Sequence, residues 1–187
     1  MGRLLLFLPL LLSVSHLWAS PIPEKSRALL VAVPDHWNSR QASLQLYRRT
    51  SAQDPWIKTN AAIPIHLGRR GLAWGRGLHP AQPGIQKREG DGKSPAGLFL
   101  LGNILYGYAD RSPIPGWRYR QIEEPSSSLY NRHLILSAHE PFPPDHHYHL
   151  MRQADPAHAL KLFIRHNAPP DAKPGAGSAI FFHLCRG

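Results

Sequence analysis

Turn-forming residues break this chain into short pieces. It holds 19 prolines and 15 glycines in 187 residues, and no apolar pattern of helical period runs for long between them. Proline fixes its own φ and lacks an amide proton, and glycine opens the left-handed region, so both punctuate strands and turns rather than extend helices. Seven short apolar runs lie between these breaks. They are Ala28 to Val33, Ser43 to Tyr47, Ile63 to Leu67, Leu98 to Leu105, Leu134 to Ser137, Leu160 to Ile164 and Ser178 to Cys185. In Ser43 to Tyr47, Leu44 and Leu46 share a face, and Leu160, Leu162 and Ile164 alternate with Lys161, Phe163 and Arg165. This pattern predicts a mainly β chain folded as a sandwich or barrel-like domain. Single helical turns are expected at most within Ala154 to Lys161 and Gln121 to Asn131.

The first nineteen residues read as an export signal. Arg3 precedes an apolar run from Leu4 to Leu12, and Ser13 to Ala19 leads to a cleavage site. The run is too short to span a bilayer, and no later segment replaces it, so no integral membrane segment is expected after cleavage. Residues 20–187 are then expected to form one exported domain. The formal charge of +10 would draw an exported protein to anionic polymers, or reflect only a solvated basic surface. The basic residues are scattered in pairs such as Arg48-Arg49 and Arg69-Arg70, without the long run of a nucleic-acid arm. The single cysteine, Cys185, excludes an internal disulfide framework and a four-cysteine zinc site.

Several motifs invite chemistry and fail on context. Gly90-Asp91-Gly92-Lys93-Ser94 ends like a phosphate-binding loop, but Lys87 stands where the loop needs its first glycine. Pro95 also follows where a helix must begin. The chain contains neither a G-x-S-x-G nor an H-E-x-x-H sequence. Glu123 and Glu124 are adjacent, which in an extended segment sends them to opposite faces and gives them a surface role. His147 and His149 would share one face of a strand, with His139 upstream, so a divalent metal site is one alternative for this region. Gly68 to Gly97 carries eight glycines in thirty residues, a density that predicts closely approaching turns beside a site.

The closing segment bears the most chemistry. As a strand, Ser178 to Cys185 places Ile180, Phe182 and Leu184 on an apolar face destined for the core. Ala179, Phe181, His183 and Cys185 lie on the other. Imidazole and thiol are the components of a nucleophilic pair. On one strand, however, their Cα atoms stand about 6.5–7 Å apart with parallel side chains, so they do not point at each other.

Taken in order, these segments resemble the catalytic domain of the L,D-transpeptidase family. Ser94-Pro95-Ala96-Gly97-Leu98-Phe99 matches its S/T-P-x-G-x-F signature. The strings Leu72 to His79 and Lys87 to Gly97 resemble an exported branch of that family. Gly177 to His183 is similar to the strand carrying its active-site histidine. The resemblance spans about residues 27 to 187. It implies a β-rich domain that acts on the stem tetrapeptides of peptidoglycan by cysteine acyl transfer, with His183 as the catalytic histidine and no metal or other cofactor. It also implies a nucleophile in a Gly-Cys motif roughly 12 to 20 residues beyond that histidine. The sequence stops four residues after His183. The expectation is therefore an L,D-transpeptidase-like domain incomplete at its C-terminus and lacking the family nucleophile. The alternatives are a non-catalytic peptidoglycan-binding protein and the metal binder built on His139, His147 and His149.

Overall fold

The computed structural model describes residues 22–106, 118–136, 139–144, 147–150 and 155–184. The export-signal expectation and Cys185 lie outside these residues. The described residues are mainly β, with no α-helix among them. Among the described residues, twelve strands form four small sheets.

The first sheet is built on β2 (Gln41–Arg48). β1 (Ala28–Val33) pairs with it antiparallel along its full length, from Ala28 opposite Arg48 to Val33 opposite Ser43. The other edge of β2 is shared by β3 (Ile57–Lys58) and β4 (Ile63–His66). Between them the Gln45 side chain crosses the gap and donates to the carbonyls of Leu46 and Asn60, at 3.0 and 2.8 Å. Opposite partners share a face in such a ladder, so Leu30, Leu46, Leu44 and Ile63 come to one side. Leu44 and Ala42 are buried at its centre, and Leu30 and Ile63 are exposed toward its edges.

β5 (Leu72–Trp74) and β6 (Ser94–Ala96) pair in parallel, Leu72 with Ser94 and Trp74 with Ala96. The two glycine-rich strings of the sequence are thus one structural unit. Gly75 N–H donates to the Ala96 carbonyl and Leu78 N–H to the Leu98 carbonyl, both at 2.8 Å. The unit closes only because side chains are missing. A Cβ on Gly75 would meet the Phe99 ring, Pro95 and His166 at 2.7–2.9 Å, and one on Gly97 would strike the His79 ring. The loop before β6 is held by Asp91, which accepts from the amides of Arg88 and Lys93 and from Lys87 Nζ at 2.7–2.9 Å. Ser94 Oγ accepts from the amide of Gly68 at 2.8 Å.

β7 (Leu101–Tyr106), β11 (Lys161–Ile164) and β12 (Phe181–His183) form an antiparallel sheet in the order β12-β11-β7, with a bulge between Leu162 and Ile164. β8 (Arg118–Ile122), β9 (His133–Leu136) and β10 (Tyr148–Leu150) form another, in the order β10-β8-β9. His133 joins the two sheets. Its ring lies edge-on to Phe163 at 4.2 Å and stacks on Phe181 at 6.0 Å.

Two expectations are corrected here. Ile180, Phe182 and Leu184 do not make a core face, because Phe182 is 39% and Leu184 47% exposed. β12 is an edge strand, and its inward side chain is Phe181, which packs on Phe163 and His133. The helical turn expected within Gln121 to Asn131 is absent. β8 ends at Ile122, and a series of turns leads to Asn131, whose φ of 55° is left-handed. The turn expected near Ala154 to Lys161 is present as a short 3-10 helix, Pro156–His158, capped by Asp155 through the amide of Ala157 at 3.0 Å.

Candidate active site

Behind β11 and β12 lies a buried polar frame. His166 is fully buried and its two ring nitrogens have different partners. Nδ1 accepts from the Arg76 amide at 3.1 Å, and Nε2–H donates to the Ala176 carbonyl at 2.9 Å. That pattern fixes the neutral Nε2–H tautomer. Burial drives its pKa down to about 4, with Lys87 and Arg76 adding repulsion. Asn131 Nδ2 donates to the carbonyls of His166 and Asn167 at 3.1 and 2.8 Å, and its Oδ1 accepts from the Ala179 amide at 3.2 Å. Asn167 clasps the returning loop by donating to the carbonyls of Lys173 and Gly177 at 2.9 and 3.0 Å. Glu89 receives the Tyr130 hydroxyl and, at 3.4 Å, the Ser178 amide. Burial and then Glu89 push the Tyr130 hydroxyl well above its ordinary pKa. Together these groups aim residues 177–179 into β12. Ala179 sits there at φ 54°, a left-handed conformation that costs energy for a residue with a Cβ.

In front of this frame is an open cavity of about 420 Å³. Lys93, Ser94 and Pro95 form one wall and Ala179 to Phe181 another, with His158, Lys161, His183, Glu123 and His149 completing it. His183, the histidine singled out from the sequence, is exposed at the end of β12. Its Nδ1–H donates to the Leu184 carbonyl at 2.7 Å, which leaves Nε2 as the basic nitrogen. The ring stacks on His158 with centroids 5.3 Å apart. Burial, helped by Lys161 and His183, lowers the His158 pKa. Lys161 is 2% exposed, and burial lowers its pKa as well. A stacked imidazole pair beside two lysines can exchange protons with, and supply positive charge to, an anionic substrate.

The sequence reading is changed at two places around the cavity. Glu123 is not merely a surface residue, because its carboxylate meets His149 Nε2 at 2.9 Å within the cavity wall. Among the described residues, His139, His147 and His149 are not brought together as a group that could hold a metal ion. His149 is engaged by Glu123, and no group of three His, Cys, Asp or Glu side chains among the described residues is placed to hold a metal ion. Sequence reasoning also missed His166, Asn131, Asn167 and Glu89. Asn131 and Asn167 left one signal, since asparagine tolerates the positive φ that both adopt. Among the described residues no helix is long and apolar enough to cross a membrane.

Comparison with known proteins adds no relative: no protein-family model, curated protein or solved structure matches the chain.

Proposed function

We propose that the cavity at β12 is the acyl-transfer site of a periplasmic, L,D-transpeptidase-like domain acting on peptidoglycan stem tetrapeptides. The observation that supports this most is a convergence. Ser94-Pro95, from the signature string, and His183, from the histidine strand, are far apart in sequence and line one cavity. In this reading His183 Nε2 takes the proton of a cysteine thiol supplied by a Gly-Cys segment beyond this sequence. The thiolate attacks the amide carbonyl before the terminal D-alanine, and the imidazolium returns the proton to the departing amine. The resulting thioester passes the peptide to an amine or to water. Lys93 and Lys161 offset the carboxylates of the stem peptide, and Glu123 with His149 closes the opposite side.

The test compares the 187-residue chain with the same chain continued through the codons that follow in its gene. Loss of D-alanine from a tetrapeptide muropeptide is read by mass spectrometry. The continued chain is expected to release it, and His183→Gln in that chain to slow release by about 100-fold or more. Release by the 187-residue chain itself, or by neither polypeptide, overturns the reading. An inert chain that sacculi retain at low salt would instead be a wall-binding module.

A further inference from the structure

A second cavity, of about 200 Å³, opens beside the polar frame and shares no lining residue with the first. Arg76 and Arg165 border it, Leu78, Leu100 and the Pro169-Pro170 step supply apolar walls, and Asp171 stands at its edge. Both arginines are mounted on fixed backbone. The Arg76 amide is held by His166 Nδ1, and its carbonyl accepts from the Asn167 amide at 2.8 Å. The Arg165 amide donates to the Leu100 carbonyl at 2.9 Å.

Both arginine side chains are exposed to solvent where they line the cavity. Among the described residues, Arg76 Nη2 donates to the Asp171 backbone carbonyl at 3.4 Å. Among the described residues neither arginine forms an ion pair, with Asp171 or any other carboxylate. Two cations brought to one concave, partly apolar site repel each other, and an anion bound between them removes that repulsion. Guanidinium forks match planar carboxylates, and the apolar walls have nothing to offer a bare phosphate.

We infer that this cavity binds the carboxylate end of a short peptide or acylated amino acid, with Arg76 and Arg165 on the carboxylate and Leu78, Leu100 and the prolines around a small aliphatic side chain. The inference does not rest on the acyl-transfer reading, because the two cavities are separate.

The probe is N-acetylalanine, titrated into the full chain at low salt and followed by amide NMR shifts. Saturable shifts are expected at residues 76–78 and 165–171. N-acetylalaninamide, which lacks the carboxylate, should leave those amides unmoved, and inorganic phosphate should bind more weakly. Arg165→Gln should weaken binding about tenfold, because it removes a charge-assisted contact. Arg76→Gln should act alike, and Arg165→Gln carries the test if Arg76→Gln perturbs the fold. Lys58→Gln, on the distant β3, removes the same charge and should change nothing. The inference fails if the amide analogue shifts the same residues, if phosphate binds as tightly, if Lys58→Gln weakens binding equally, or if no shift saturates.

Discussion

Acid should unfold this protein through two histidines held in their neutral forms, His166 fully buried and His133 half-buried. His166 cannot take a second proton without losing the Arg76 amide from Nδ1 and placing a cation beside Lys87 and Arg76, which the Ala176 carbonyl and Asp91 offset only in part. His133, packed between Phe163 and Phe181, is held neutral by burial and by Arg165. Both pKa values fall from 6.5 to about 4. In the unfolded chain each protonates near 6.5, so between those values the unfolded state binds more protons. Stability is therefore full above pH 6.5 and is lost as pH falls toward 4. Each pH unit of separation is worth about 1.4 kcal/mol, so each histidine contributes about 3 kcal/mol by pH 4. The slope near pH 5 should be about 2.5 kcal/mol per pH unit for the pair. Urea unfolding at half-unit steps from pH 7 to 4.5 measures it. His133→Phe keeps the ring contacts and removes one titration, so its slope should drop by about half. The Hε1 resonance of His166 should not move above pH 5. Equal slopes in the two proteins, or a His166 midpoint near 6.5, would refute the reasoning.

Three further outcomes are expected. Gly77→Ala drives a Cβ into the Leu98 carbonyl oxygen and to 2.6 Å from the Phe99 ring, so thermal unfolding should show a loss of about 3 kcal/mol or more. Asp91→Ala leaves Lys87, 7% exposed and paired to Asp91 at 2.7 Å, as a buried cation. Urea unfolding should show a loss of about 3–5 kcal/mol, and adding Lys87→Met should recover much of it. Asn131→Ala removes three hydrogen bonds at a residue 1% exposed, and the Ala179 amide should lose its hydrogen-exchange protection along with about 3 kcal/mol of stability.

The strands that the sequence reveals are those with a local pattern. β1, β2, β4 and β11 each announce themselves through a run of apolar or alternating residues between turn signals. β3, β5, β6 and β10 have two or three residues each, and nothing local marks them. β6 is Ser94-Pro95-Ala96, and its proline argues against a strand until β5 is seen to pair on one side only. The face of β12 misleads for a related reason. Alternation separates Phe181 and His183 from Phe182 but does not say which side meets the core, and the aromatic partners Phe163 and His133 decide it from other strands.

The candidate site divides along the same line. His183 stands out because an imidazole ends an apolar strand, whereas Glu123 and His158 gain meaning only when β10 and the 3-10 helix bring their neighbours within reach. His166 is less visible still, being a polar residue whose partners are the backbone of Arg76 and Ala176. The frame around it explains why glycines crowd residues 68–97. The β5-β6 unit must come within van der Waals contact of an imidazole that no side chain is allowed to displace, and Gly75 is the residue on which His166 rests. The glycine-rich strings therefore leave room for His166 to hold the Ala176 carbonyl, and a side chain at Gly75 would press both on His166 and on Pro95 in the wall of the His183 cavity.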